Sequence, residues 1–200
     1  MTLRVAPMSR AEIEAYLDDV ATLRIRVFAE FPYLYDGDME YERRYLAAYR
    51  DSPGAIVVGA WDGTQLVGAS TGTPMEDHAD DFAGAFADQP MPIETIFYCA
   101  ESVLLPEYRG RGIGGRFFDH REAHARALGR DWSAFCAVIR ADDHPARPAG
   151  YTPHDGFWTH RGYARLPDAV ASFRWKDHGD AVETEKPLQF WIRGLREDQP

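Results

Sequence analysis

At 200 residues, 45% apolar and 27% charged, the chain has the length and make-up of one globular domain with a sizeable core. Its net charge of −10 argues against a nucleic-acid surface and suits a cationic partner. The opening residues, Met1-Thr2-Leu3-Arg4-Val5-Ala6-Pro7, show no basic stretch leading into an apolar run, and no later run approaches the length of a bilayer, so neither a secretion signal nor a membrane contact is expected. Cys99 and Cys136 both lie in apolar runs, and two free thiols in a reducing cytoplasm are the expectation.

In chain order, residues 3–7 read as a strand, and Ser9 has the chemistry to cap a helix starting near Ala11. Ile13, Tyr16, Leu17, Val20 and Leu23 recur at helical spacing, and a second helical pattern continues to about Phe31. Residues 31–37 form an aromatic loop. Helix returns over 38–50, with Tyr41, Tyr45, Leu46 and Tyr49 along one side. The runs 55–61 and 65–73 flank Asp62-Gly63, a hairpin signal. Residues 76–88 suggest a short helix with an acidic head and an apolar side of Phe82, Ala85 and Phe86. A strand over 95–105 leads into a helix marked by Ile113, Phe117, Phe118, Ala125 and Leu128. A buried strand over 133–139 follows, then a loop with prolines at 145, 148 and 153. A short helix over 154–161 ends in Gly162-Tyr163, and strands over 169–176 and 187–194 close the chain. No repeat or linker divides it, so one domain over 1–200 is expected.

The most informative stretch is Arg109-Gly110-Arg111-Gly112-Ile113-Gly114-Gly115, between the 95–105 strand and its helix. A glycine-rich turn opening on a helix lets successive backbone N–H groups point at one anion, and the helix dipole adds positive potential there. Glycine is needed because a Cβ would obstruct phosphate and disfavour positive φ. The sequence therefore contains a pyrophosphate cradle. Gly110, Gly112 and Gly115 also satisfy the dinucleotide fingerprint G-x-G-x-x-G, which would suggest a nicotinamide oxidoreductase. That fingerprint normally follows the first strand of repeated βα units, and the chain beyond Arg140 is too short and too rich in strands to supply them.

The fuller pattern is Arg-x-x-Gly-x-Gly preceded by Leu104-Leu105-Pro106-Glu107-Tyr108, with Arg109, Gly112 and Gly114 on its defining positions. It resembles the acyl-CoA-binding motif of the GNAT superfamily of N-acetyltransferases. The order of elements resembles that fold over nearly the whole chain, and Phe157-Trp158-Thr159-His160-Arg161-Gly162-Tyr163 is similar to its late helix-to-glycine segment. The resemblance implies an α/β (α+β) fold: a mixed central sheet of about seven strands flanked by helices, with splayed central strands forming the acyl-CoA cleft. It also implies acetyl-CoA as co-substrate, held by Arg109 to Gly115 in the cradle and by backbone groups of Val103 and Leu104 along the pantetheine arm. Two departures stand out. Residues 75–94 form a helical insertion where a short connection is usual, and Trp158 occupies a position where a tyrosine is common.

Acetyl transfer to an amine needs a polarised thioester carbonyl, a base for the ammonium proton and a donor for the departing thiolate. In the 95–105 strand the titratable candidates for the base are Tyr98, which aligns with the base of several relatives, and Glu101, the carboxylate well inside the strand. They have opposite parity in a regular strand, and a bulge would be needed for either to reach the cleft freely. Packing for Tyr98 and a paired charge for Glu101 stand as the plainer alternatives. No general acid is assigned: Tyr151, His154 and His160 lie near Trp158, and a surface or packing role suits them better. His120, Glu122 and His124 lack the His-Glu-x-x-His spacing and a third ligand cluster, so a polar helix face is the reading and no metal is expected. Cys99 is not needed as a nucleophile in direct transfer. The tyrosine stripe at 41, 45 and 49 has core spacing, while the 31–35 loop is expected to line an acceptor pocket. Residues 75–94 are either a solvated capping turn or an acidic lid over a cationic acceptor.

The leading function is therefore an acetyl-CoA-dependent N-acetyltransferase acting on a small-molecule or peptide amine, as monomer or homodimer. A non-catalytic acyl-CoA-binding regulatory module is the alternative.

Overall fold

Ser9 and Glu12 cap each other reciprocally, each side chain accepting from the other's amide, and this starts α1 (Arg10–Ala15) just after β1 (Leu3–Pro7). The structure, a computed structural model, describes residues 3–196; Met1, Thr2 and residues 197–200 of the expected 1–200 domain lie outside the described residues. After a break at Tyr16, α2 (Leu17–Phe28) ends short of Phe31, the residue before Pro32, where helical geometry is disfavoured. Asp38 caps α3 (Met39–Asp51) by accepting from the Tyr41 amide at 2.9 Å. β2 (Ile56–Asp62) and β3 (Gln65–Pro74) meet at Gly63 and Thr64, as the hairpin signal predicts.

One seven-stranded mixed sheet runs in the order β1-β2-β3-β4-β5-β7-β6. Its central neighbours, β4 (Ile96–Leu104) and β5 (Trp132–Val138), are parallel. The last two strands, β6 (Ala164–Trp175) and β7 (Thr184–Gly194), form an antiparallel pair. β6 begins five residues before the expected start at 169. Its register slips between Arg165 and Val170, where Pro167 and a left-handed Asp168 (φ 60°) hide the strand pattern. Gln189 repairs the interruption by donating to Leu166 O at 2.8 Å and Ala169 O at 3.1 Å.

α5 (Ile113–Ala127) and α6 (Asp155–His160) cover one face, with Phe118 meeting Phe135 and Phe157 edge-on. α2, α3 and α4 (Ala79–Phe86) cover the other. The insertion is neither a solvated turn nor a free lid. Phe82 and Phe86 are buried against Phe190, with Phe82 also edge-on to Tyr98 and Phe173. Its acidic head is engaged too: Glu76 pairs with Arg130, Asp77 accepts from Ser52 and Thr73, and Asp81 meets His78. Phe82 and Phe86 anchor this helix in the second hydrophobic core cluster, with Met75, Tyr98 and Phe190.

Candidate active site

β4 pairs with β5 only from Ile96↔Trp132 to Tyr98↔Ala134, whereas β5 stays with β7 from Trp132↔Gly194 to Val138↔Leu188. Beyond Tyr98 the two parallel strands part, and a wedge opens between them. On its other edge β4 carries a bulge: Thr73 pairs with Tyr98 and Thr71 with Glu101, so three steps along β4 match two along β3. The extra residue bends the strand and resets the facing of the residues beyond it. Tyr98 and Glu101 therefore share the face under α2, α3 and α4, in place of the opposite facings of a regular strand.

Arg121 of α5, 1% exposed, secures the bulge from the opposite face. Its Nη1 donates to Glu101 O at 2.9 Å and Thr71 O at 3.2 Å, and its Nη2 donates to Ser102 Oγ at 3.0 Å. Carbonyls turned out of the ladder thus keep partners, without which a buried bulge would be costly.

Glu101 lies in a buried charge cluster. Arg24 of α2 stands between Glu42, to which its Nε donates, and Glu101, 2.6 Å from Nη1. Their side chains are 8%, 0% and 7% exposed, so two carboxylates surround one guanidinium and one negative charge is in excess. Burial opposes charge on Arg24, yet Glu101 and Glu42 together hold its proton well above the ordinary range. Tyr45 of α3 donates to Glu101 Oε2 at 2.9 Å, and its ring lies 4.1 Å below the Arg24 guanidinium. Tyr98 differs in kind. Burial, then the neighbouring Cys136 thiol, push its phenol well above the usual value, so at neutral pH it keeps its proton and is a donor, not a base. Its hydroxyl lies 3.3 Å from Cys136 Sγ, and burial pushes that thiol up to about 12. Cys99 and Cys136 are both free and buried, in different core clusters.

At the end of β4 a 3-10 turn (Pro106–Tyr108) leads into residues 109–112 and then α5. Gly110 and Gly112 hold φ of 73° and 76°, a region L side chains rarely enter. Gly112 is the N-cap of α5 and no side chain caps the helix, so the first-turn amides of Ile113, Gly114 and Gly115 lack intrahelical partners. A Cβ at 110 or 112 would meet nothing within 4 Å, which leaves the backbone open on that side. The residues at the cradle suit a pyrophosphate. Arg109 rests between Glu30, 2.9 Å away, and Leu104 O, at 3.3 Å, while Arg111 donates to Glu107 O. The Ile113 side chain is in the core. Leu105 N–H donates to Val67 O, so by alternation the peptide groups of Val103 turn to β3 and those of Leu104 to the wedge. The two expected backbone contacts divide there: Leu104 faces the opening, and Val103 is taken up in the ladder.

Trp158 packs against Phe135 at 4.9 Å and Trp191 at 5.2 Å on the β5 side of the wedge, with His154 beside it at 5.8 Å. The aromatic loop is clamped. Arg140 donates to Pro32 O and Tyr33 O and pairs with Asp177, and Trp175 Nε1 also donates to Tyr33 O. Phe31 meets Tyr151 edge-on. His124 bonds Gly54 O and packs on Phe97, and the described residues hold no group of three or more metal-type side chains. Nor do they include a helix long and apolar enough to cross a membrane. Arg24, Arg121 and Arg140 went unnoticed in the sequence. The available signal was their position: Arg24 falls within the apolar stripe of Val20, Leu23 and Val27, and Arg121 within that of Phe117, Phe118 and Ala125.

The model of the acetyltransferase (GNAT) family matches residues 20–149, which include most of α2, the wedge strands and the cradle. The chain belongs to this family. It is thus an acyltransferase, of a kind that takes its acetyl group from acetyl-CoA. Among solved structures this GNAT protein resembles an aminoglycoside 6'-N-acetyltransferase complexed with coenzyme A, at 15% identity and a TM-score of 0.61, over 98% of this chain and 99% of that one. A ribosomal-protein-alanine N-acetyltransferase from Brucella melitensis matches at 13% and 0.60, over 96% and 99%. An acetyltransferase from Thermus thermophilus matches at 17% and 0.56, over 97% of each chain. At these identities the likeness is one of fold. No curated protein sequence matches the chain.

Proposed function

We propose that the protein acetylates a primary amine of a small molecule or peptide by direct transfer. The observation that carries this reading is the bulge beside the wedge, which sets a buried carboxylate, one of two around Arg24, on the same sheet face as Tyr98 where β4 and β5 part. Acetyl-CoA supplies an activated thioester. The amides of residues 112–115, with Arg109 and Arg111, hold its pyrophosphate, and the outward peptide groups of Leu104 hold the pantetheine arm. Glu101 receives the acceptor's ammonium and takes its proton, the excess negative charge of the Glu42–Arg24–Glu101 cluster favouring a cation there. Tyr98, protonated, is a donor beside the wedge. The amine named in two similar structures, on an aminoglycoside and on a protein alanine, belongs to the same chemical class. Two free buried thiols suit a reducing, cytoplasmic setting.

Thiol release from acetyl-CoA across a panel of amines tests this: an aminoglycoside, spermidine, phosphinothricin and a peptide with N-terminal alanine. Release dependent on one amine is the expected result. Acetyl-CoA binding by calorimetry with no release on any member would make the protein a binding module, the reading that Trp158, with no acidic proton, favours.

A further inference from the structure

We propose that Tyr45 and Tyr49 form the route by which the proton taken up by Glu101 leaves the site. This rests on Glu101 being the base. Tyr45 Oη lies 2.9 Å from Glu101 Oε2 and 2.8 Å from Tyr49 Oη. A carboxylate only accepts, so the Tyr45 hydroxyl proton is committed to Glu101, and the bond between the two phenols must be donated by Tyr49. The chain is therefore polarised, both hydroxyls pointing toward the carboxylate. Tyr49 also lines a surface depression of about 340 Å³, whose wall includes Ser52, Thr73, Asp77 and His78. The pair thus joins a carboxylate whose side chain is 7% exposed to an opening on the far side of β4 from the wedge.

The other neighbour of the carboxylate offers no route. Arg24 sits at Oε1, and a guanidinium already fully protonated cannot relay a proton. Through the tyrosines the step balances. With the hydroxyls rotated outward, protonated Glu101 donates to Tyr45 Oη, Tyr45 passes its own proton to Tyr49 Oη, and Tyr49 releases its proton to a solvent base in the depression. Three O–H bonds break and three form. The chain ends as Tyr49→Tyr45→Glu101 carboxylate, the arrangement the structure holds, and rotation of two hydroxyls resets it. Burial, reinforced by the Glu101 charge, raises both phenols above their ordinary range, so the proton moves by exchange and no phenolate accumulates.

Tyr49→Phe keeps the ring and removes the outlet. With the amine of the panel that turns over fastest, kcat should fall about tenfold, and added imidazole, a base small enough for the depression, should restore it in proportion to concentration. The calorimetric Kd for acetyl-CoA should not change, which also shows the variant is folded. An unchanged kcat, or a loss that no concentration of imidazole restores, overturns the relay. A second measurement needs no turnover. In the protein alone, Glu101→Gln places an amide donor against Tyr45, so the infrared C–O stretch assigned to Tyr49 should shift; a stationary band means the hydroxyls are not coupled to residue 101. The two readings fail separately. Full activity in Glu101→Gln removes the base itself, whereas an inactive Glu101→Gln beside a wild-type-like Tyr49→Phe removes only the relay.

Discussion

At the cradle, the chain uses its backbone: Gly110, Gly112 and the first turn of α5 come from one continuous stretch, its glycine turn exposed and its helix start bare of capping side chains. Around Glu101 it uses side chains, and they arrive at β4 from α2, α3 and α5, elements far apart in sequence. The first region needs only local φ angles and a helix dipole, so it tolerates water and salt. The second excludes water, where a charge interacts strongly and an unmatched partner is costly. The comparison teaches where each kind of damage should appear: binding at the cradle, folding and turnover at the cluster.

The largest expected effect is at the buried cluster. Arg24→Leu leaves Glu42 and Glu101 facing each other without a cation and should lower unfolding free energy by about 4 kcal/mol, read by denaturant titration. A loss under about 1 kcal/mol would mean the cluster is wet, and the contrast with the cradle would weaken. Glu101→Gln should lower kcat about a hundredfold while the acetyl-CoA Kd stays within a factor of two, as measured by steady-state kinetics and calorimetry.

Next comes the clamp on the aromatic loop. Asp177→Asn breaks the two-pronged pair with Arg140 and should cost about 2 kcal/mol at pH 7. Burial works against the Asp177 carboxylate, but Arg140 and Lys186 prevail and hold it below its ordinary range. Its contribution is therefore complete above the unfolded-chain value and fades as pH falls through the lower folded one. Melting curves for the two proteins should accordingly converge as pH falls beneath the unfolded-chain value of about 3.9 and on through the lower folded one.

The cradle sits lower on the scale. Gly112→Leu should raise the acetyl-CoA Kd at least about tenfold, 1.4 kcal/mol, since φ of 76° is disfavoured for leucine and its side chain would enter the phosphate's space. Normal binding by a folded variant would put the cradle elsewhere. Arg109→Ala should cost about threefold at most, because this exposed guanidinium is already paired with Glu30 and screened by solvent.

Much of this could be read from the chain because it depends on neighbours in sequence. The Ser9 cap, the Gly63 hairpin, the apolar runs of β2 and β3 and the glycine turn before α5 are each set by residues within one or two turns of one another. The glycines had to be where they are because φ is a local quantity, and a motif of that kind can be recognised without knowing which elements pack above it. The tertiary structure alone decided which side chains meet. The parity of Tyr98 and Glu101 turned on one extra residue in β4, invisible until β3 is laid beside it. The Tyr41/Tyr45/Tyr49 stripe had the spacing of a core face, and only the approach of β4 shows that the Tyr45 hydroxyl meets a carboxylate with the Tyr49 hydroxyl behind it. Arg24 and Arg121 lie where periodicity asks for apolar residues, and no local rule supplies the carboxylates and carbonyls that make their burial tolerable. Backbone conformation is dictated along the chain; charge compensation and hydrogen-bond partnership are settled across it, by contacts whose sequence separation carries no signal.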